Sequence, residues 1–214
     1  MKLFKIVLAV LVFLVNLVVA QPAWADTPKF TNSPDYTEVT QALDKLLNAQ
    51  SAPDQSGYTP EEIQQKIGSL RLQKYILETA EDWGQCRNET GKMLGVYAHK
   101  PKKSRSSQES TLYFLADGET TDDDWNCDGI YLPSGVKVVG LSPADTQGKQ
   151  LGEPVALKFV DGTQLVAKTN PQAGAVELNV SPAKVFKTGE VNWFIPNLSQ
   201  EDIESKAPNA PISD

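Results

Sequence analysis

Hydrophobic residues recur at helical spacing in the first part of this chain and alternate as in β-strands in the rest. Residues 37–48 place four apolar side chains on one face and predict a short first helix. The segment that follows, residues 49–58, is rich in Ser, Pro, Asp and Gly, which is typical of a linker.

A second helix is predicted over residues 60–83. Its start is well marked, because Thr59 is placed as N-cap, Pro60 occupies the first helical position and Glu62 lies where it can close a capping box. The apolar stripe of this helix continues as far as Trp83, and the glycine after it predicts the end.

From residue 91 onward, short β-rich segments separated by turn residues predict strands. The clearest pair is a hairpin around Asp161-Gly162, a dipeptide typical of a two-residue type I′ turn. The predicted strands are 93–98, 111–116, 129–132, 136–141, 155–160, 163–168, 176–180, 185–187 and 191–195. Residues 199–205 predict a short helix, and the tail from Ala207 is predicted to be disordered.

Two helices followed by hairpin-connected strands favour an α+β fold. We expect the helices, about 37–48 and 60–83, to pack on a small antiparallel β-sandwich or barrel. The predicted organisation is a signal peptide, a leader with a short helix and linker, an α+β core domain, and a short helix with a disordered tail. These parts span residues 1–25, 26–58, 59–198 and 199–214.

The first 25 residues have the layout of a signal peptide. Lys2 and Lys5 give a positive start, residues 6–20 are almost all apolar, and Ala23-Trp24-Ala25 forms an A-x-A cleavage site. The apolar run is shorter than the roughly 20 residues that a membrane span needs. The sequence therefore predicts an exported protein that is soluble after the signal is removed.

The mature part is strongly acidic. The signal segment contains two lysines and no acid, so the 20 basic and 27 acidic residues of the whole chain leave the mature part with a net charge of −9. Nucleic acids and anionic membrane surfaces favour basic partners. We therefore expect neither to be a ligand.

Cys86 and Cys127 are the only cysteines of the chain. In an exported protein an isolated pair predicts a disulfide, which would join the helical part to the sheet. Two free thiols or a metal-binding pair are the alternatives, and the metal alternative has little support because His99 is the only histidine.

Residues 117–129 form an acidic segment in which Asp124, Asn126 and Asp128, followed by Gly129, match the opening of a calcium loop. The twelfth position, which in such a loop is a bidentate glutamate, is Gly135. The alternatives are a calcium site closed by a distant carboxylate and a solvated acidic loop held by the disulfide.

The sequence contains none of the common catalytic motifs. His99 ends a predicted strand, no G-x-S-x-G elbow occurs, and neither G-x-G-x-x-G nor a P-loop is present. No cofactor is implied, and a hydrolase with unidentified acidic residues stays open as an alternative. The basic run 100–105 is typical of a solvated hairpin tip or of a site for an acidic partner.

The tryptophans of the mature part have two possible roles. Trp83 and Trp125 each lie within three residues of a cysteine, and Trp193 lies further along the chain. Such side chains either pack on a disulfide or form an aromatic surface for carbohydrate.

One stretch carries a resemblance. Its parts are residues 72–79, Asp82-Trp83, the segment 86–91 and the predicted strand from Met93 to Tyr97. Together these parts of the chain resemble exported cyanobacterial proteins without an assigned activity. The resemblance covers about a third of the chain and implies a periplasmic or thylakoid-lumen location.

The absence of a catalytic motif, combined with an N-terminal helical segment, favours a non-enzymatic binding or assembly module. We expect it to act on a protein or membrane complex in the periplasm or thylakoid lumen. The alternative functions are a calcium-binding protein that uses the 117–129 loop and a hydrolase.

Overall fold

The computed structural model describes residues 29–50, 57–101, 110–142, 148–190 and 193–213. The predicted signal peptide and most of the basic run lie outside these residues. Among the described residues, no helix has the length and apolar character to cross a membrane.

Two helices open the described chain: α1, Pro34–Gln50, and α2, Pro60–Thr79. The predicted capping box of α2 is confirmed. The Glu62 N–H donates to Thr59 Oγ1 at 3.2 Å, and the Glu62 carboxylate accepts the Thr59 N–H at 2.8 Å. The second helix, α2, therefore begins at the predicted residue, Pro60, and α1 begins at Pro34, close to the predicted start at residue 37.

The prediction that α2 continues to residue 83 is wrong. Ala80 is already in an extended conformation, with φ −70° and ψ 128°. Trp83 is half-buried and makes an edge-on contact with Phe30, whose ring centroid lies 5.2 Å away, instead of extending the helical stripe. Gly84 then lies against residues 126 and 127, where a Cβ would come within 3.0 Å of the Asn126 and Cys127 oxygen atoms. This close approach requires glycine at position 84.

In the described part of the chain, ten strands form two five-stranded sheets. In chain order they are β1 Gln85–Glu89, β2 Leu94–His99, β3 Thr111–Leu115, β4 Asn126–Leu132, β5 Lys137–Val139, β6 Lys149–Gln150, β7 Val155–Lys158, β8 Gln164–Asn170, β9 Ala175–Leu178 and β10 Lys184–Lys187. The first sheet has the order β1-β8-β9-β5-β6, and the second has the order β10-β7-β4-β2-β3. A five-residue helix, α3, spans Gln200–Glu204.

The α+β fold is confirmed, with N-terminal helices and two packed sheets that do not close into a barrel. The second sheet is antiparallel, whereas β1 pairs with β8, and β5 with β9, in parallel. The main core lies between the sheets and takes side chains from both, such as Leu165 from the first and Ile130 from the second. On the outer face of the second sheet, Tyr97 and Tyr131 pack under residues 193–203.

The helices pack into the same body. Phe30, Val39 of α1 and Leu77 of α2 bury Val160, which follows β7. An ion pair between Asp35 of α1 and Lys158 of β7 adds a polar contact at this junction. The first helix is therefore an integral part of the fold.

The chain after α3 is ordered, in contrast to the predicted disordered tail. The N–H groups of Asn209 and Ala210 donate to the Phe114 carbonyl at 3.0 and 3.1 Å. The Asp122 N–H donates to the Pro211 carbonyl at 2.9 Å. These backbone hydrogen bonds hold the tail along β3 and the acidic segment, although its sequence has no strand pattern.

Two further strand predictions need correction. The segment Gln85–Glu89 is a strand, β1, where none was predicted. The sequence pattern did not indicate it, because one of its buried positions is the polar Asn88. Residues 193–195, the described part of a predicted strand, lie outside any strand. Trp193 instead stacks on Tyr97 at 4.7 Å between ring centroids.

Candidate functional site

The disulfide between Cys86 and Cys127 is confirmed. Cys86 lies on β1 and Cys127 on β4, with 5.8 Å between the Cα atoms, and both residues are buried. It therefore joins the first sheet to the second. The sequence predicted a link from the helical part to the sheet because it missed β1.

A group of polar side chains lies beside Cys127, at the end of the sandwich that α1 and α2 cover. His99, at the end of β2, places Nδ1 2.6 Å from Oδ2 of Asp128. Ser110 Oγ donates to the same carboxylate oxygen at 2.7 Å. Asp128 is 7% exposed, so its carboxylate depends on these partners rather than on water.

Asn126 connects this group to the turn between β7 and β8. Its side-chain nitrogen donates to Oδ1 of Asp128 at 2.8 Å and to Oδ1 of Asp161 at 3.0 Å. Its side-chain oxygen accepts the Gly84 N–H at 2.8 Å. The amide is fully buried, and all its principal hydrogen-bonding capacity is used.

Lys158 adds an ammonium group to this region. Its Nζ pairs with Oδ1 of Asp35, a residue that is 8% exposed. The second oxygen of that carboxylate, Oδ2, is buried without a hydrogen-bond partner among the described residues. We call His99, Asp128, Asp161, Lys158 and Asp35 the charge cluster.

The charge cluster shifts the protonation of its members. Burial, together with the negative charges of Asp35 and Asp128, raises the pKa of Asp161 from 3.8 to about 6, although Asn126 and Lys158 oppose this. Burial alone would lower the pKa of His99. The hydrogen bond and charge of Asp128, with the charge of Asp161, together outweigh burial, so the pKa of His99 is raised.

This arrangement does not build a hydrolytic triad. Ser110 and His99 both contact Asp128, so the carboxylate separates the hydroxyl from the imidazole that would have to accept its proton. The raised pKa of His99 favours the protonated ring, which is not a base. The geometry supports a buried structural network.

The three calcium candidates are not equivalent. Asn126 contacts Asp128, and its side-chain nitrogen faces two carboxylates of the charge cluster, those of Asp128 and Asp161. Asp124 is highly exposed and lies 3.8 Å from the ammonium of Lys100. Among the described residues, no three His, Cys, Asp or Glu side chains form a group suited to a metal ion. Calcium binding stays a prediction, to be tested in solution.

The tryptophans lie against aromatic neighbours. Trp83 contacts Phe30, and Trp125 meets Tyr113 edge-on at 5.7 Å between ring centroids. Lys29 also lies over the Trp83 ring, 4.2 Å from its centroid. Trp193 stacks on Tyr97, as described above. None of these contacts tests a carbohydrate surface.

A cleft of about 660 Å³ opens at the opposite end of the sandwich. The turns after β1, β4 and β8 meet α3 there, and the floor is formed by the start of β2 and the end of β4. We call it the lysine cleft. Its apolar lining residues are Met93, Leu94, Tyr131, Leu132, Val136, Ala175, Val176 and Ile203, and its charged lining residues are Lys92 and Lys137.

The lysine cleft holds no acid–base pair. Of the described residues that line it, none is an Asp, Glu, His or Cys. The Tyr131 hydroxyl is engaged with the Pro196 carbonyl at 2.9 Å. The cleft therefore offers apolar surface, hydroxyl and amide groups and two ammonium groups, which suits binding better than proton transfer.

The sequence predicted neither the charge cluster nor the lysine cleft, because each gathers residues from distant parts of the chain. Asp35, Lys158 and Asp161 have no shared motif, and they meet only because α1 packs over the β7–β8 turn. The sequence marked Asp161 as a turn residue, which it also is. The lysine cleft gathers three turns and a helix from distant positions, and no local pattern indicates that.

Comparison of the chain with known protein families, curated proteins and solved structures finds no match.

Proposed function

We propose that this protein is a non-enzymatic binding module that recognises a partner in an exported compartment, the periplasm or the thylakoid lumen. The observation that supports it is the lysine cleft, which is large enough for a sizeable ligand and is lined without acid–base residues. Specific binding sites share this combination of apolar surface and a few polar groups.

The location rests on the signal-like first residues and on the disulfide. A disulfide persists in an oxidising compartment and is rare in the cytosol. The charge cluster supports the same function indirectly. It ties α1, the second sheet and the β7–β8 turn together at one end, which gives the cleft at the other end a fixed scaffold.

A cleft-filling variant tests the proposal. Ser134 lines the cleft in the exposed turn after β4, so Ser134→Trp places a large ring in the cleft without disturbing the core. Gln41→Trp is the matched control, because Gln41 is exposed on α1, away from the residues that line the cleft.

The tagged mature protein and both variants are used to capture partners from the native exported fraction. We expect one partner to be retained by the wild type and by Gln41→Trp but lost by Ser134→Trp. Equal capture by all three proteins would contradict a binding role of the cleft. Circular dichroism of each variant verifies that it is folded.

A further inference from the structure

We infer that the lysine cleft binds a carboxylate-bearing, partly apolar peptide segment of a partner protein. This inference rests on the proposed binding function and names the chemistry of its ligand. Its first support is a charge contrast. The mature chain carries a net charge of −9, yet the lining of this cleft contains two lysines and no acid among the described residues.

The two lysines are available to a ligand. Neither Lys92 nor Lys137 forms an ion pair with a described residue. Five other lysines of the described chain do pair with carboxylates: Lys74, Lys100, Lys158, Lys184 and Lys187. An ammonium group without a carboxylate partner in an acidic protein attracts anions, and it loses little solvation when a carboxylate reaches it at a partly exposed site.

Glu204 of α3 lies beside the cleft but forms no ion pair with Lys92 or Lys137. Its carboxylate accepts the Met93 N–H at 3.0 Å and the Gln200 side-chain N–H at 2.9 Å. These two hydrogen bonds hold the carboxylate just before β2. Glu204 keeps its negative charge, but both ammonium groups stay available to a ligand.

The strand pairing places an amide beside one of the lysines. Lys137 pairs with Gln150 of β6, so the two side chains lie on the same face of the sheet, and both line the cleft. The Lys137 stem passes over Gly148, where an added Cβ would come within 3.2 Å of Lys137 Cε. The absence of a side chain at Gly148 thus leaves room for the lysine at the cleft.

The size and apolar lining favour a peptide over a small anion. A cavity of about 660 Å³ is within the range of about 300–1,000 Å³ that holds drug-sized ligands. Inorganic phosphate would leave most of it empty and would not use its apolar walls. A segment of a few residues that carries both carboxylates and apolar side chains uses both kinds of surface.

A defined probe tests this assignment. The peptide acetyl-Glu-Val-Glu-Phe-Glu-amide is titrated into the mature protein by calorimetry at low salt, beside its Gln-for-Glu and Lys-for-Glu counterparts. We expect the Glu peptide to bind about tenfold more tightly than the Gln peptide, because two partly exposed ion pairs are lost. Salt at about 0.5 M should remove most of this difference.

Charge variants place the binding at the cleft. Lys92→Gln combined with Lys137→Gln should weaken the Glu peptide about tenfold. Lys45→Gln is the matched control, an exposed lysine of α1 that should leave binding unchanged. Reversal to Lys92→Glu and Lys137→Glu should make the Lys peptide the preferred ligand.

Three outcomes would overturn the inference: equal binding of the Glu and Gln peptides, an equal loss with Lys45→Gln and with the double variant, or no binding at millimolar peptide. Displacement of the peptide by octanoate at equal or lower concentration would assign the cleft to small organic anions instead. In each case, partner capture that is still lost by Ser134→Trp would leave the proposed binding function standing.

Discussion

Replacing Asp161 by Asn should stabilise this protein at neutral pH. Asp161 accepts one hydrogen bond from Asn126 and lies near the carboxylates of Asp35 and Asp128, which oppose its ionisation. An asparagine at this position keeps an oxygen for the Asn126 amide and removes the negative charge. The change therefore separates the cost of the charge from the value of the hydrogen bond.

The sign and size follow from the pKa. Because the pKa of Asp161 is about 6 in the folded protein and 3.8 ordinarily, the folded state keeps a proton that the unfolded state has released. Stability from this group is fully present below pH 3.8 and is lost as the pH rises through 6. The charge costs about 3 kcal/mol at about pH 7.5 and about 1 kcal/mol at about pH 4.5.

Urea unfolding followed by tryptophan fluorescence measures the effect at both pH values. The gain from Asp161→Asn should be about 2 kcal/mol larger at about pH 7.5 than at about pH 4.5, and this difference is independent of any packing change. Asp124→Asn is the control, because Asp124 is exposed and should change stability by less than about 0.5 kcal/mol. Equal effects of Asp161→Asn at the two pH values would refute the reasoning.

Other parts of the structure give three shorter tests by unfolding or calorimetry. Lys158→Met leaves Asp35 buried without its ammonium partner and should lower the free energy of unfolding by about 3 kcal/mol. Adding Asp35→Leu should recover most of this loss, and no recovery would contradict the ion-pair role. Replacing Cys86 and Cys127 by Ala opens a loop with a separation of 41 residues and should cost about 3–4 kcal/mol, with a smaller loss if the unfolded chain is compact. Calcium titrated into the mature protein should give heat at up to millimolar ion if the acidic segment binds it, and no heat would end that hypothesis.

Much of the local structure was readable from the sequence because local interactions decide it. The capping box at Thr59 is built from neighbouring residues and lies where the sequence placed it. A turn does occur at Asp161-Gly162, but the predicted hairpin is wrong, because β7 and β8 lie in different sheets and do not pair. The turn is not of type I′ either, because only its glycine has a positive φ. The disulfide could be predicted because the chain has only two cysteines and a signal-like start.

Elements that depend on distant partners were missed. The strand β1 buries Asn88, whose amide donates to the Lys92 and Leu115 carbonyls, and no hydrophobic alternation reveals such a position. The end of α2 was placed too late because the half-buried Trp83 packs against Phe30 from outside the helix, so its apolar character does not mark a helical position. The charge cluster also needs α1 to be docked before its charges meet.

The ordered C-terminal tail changes what kind of recognition this molecule can use. By covering β3 through the Phe114 carbonyl, it blocks one edge of the second sheet, and residues 118–121 bond in the same way along β1 of the first. The remaining edges are the two-residue β6, with Lys149, and β10, with a lysine at each end. Covered, short and charged edges all resist the addition of a strand. For the proposed binding function, this protection favours recognition by side chains in a cleft over backbone pairing. The same protection opposes edge-to-edge aggregation of neighbouring copies.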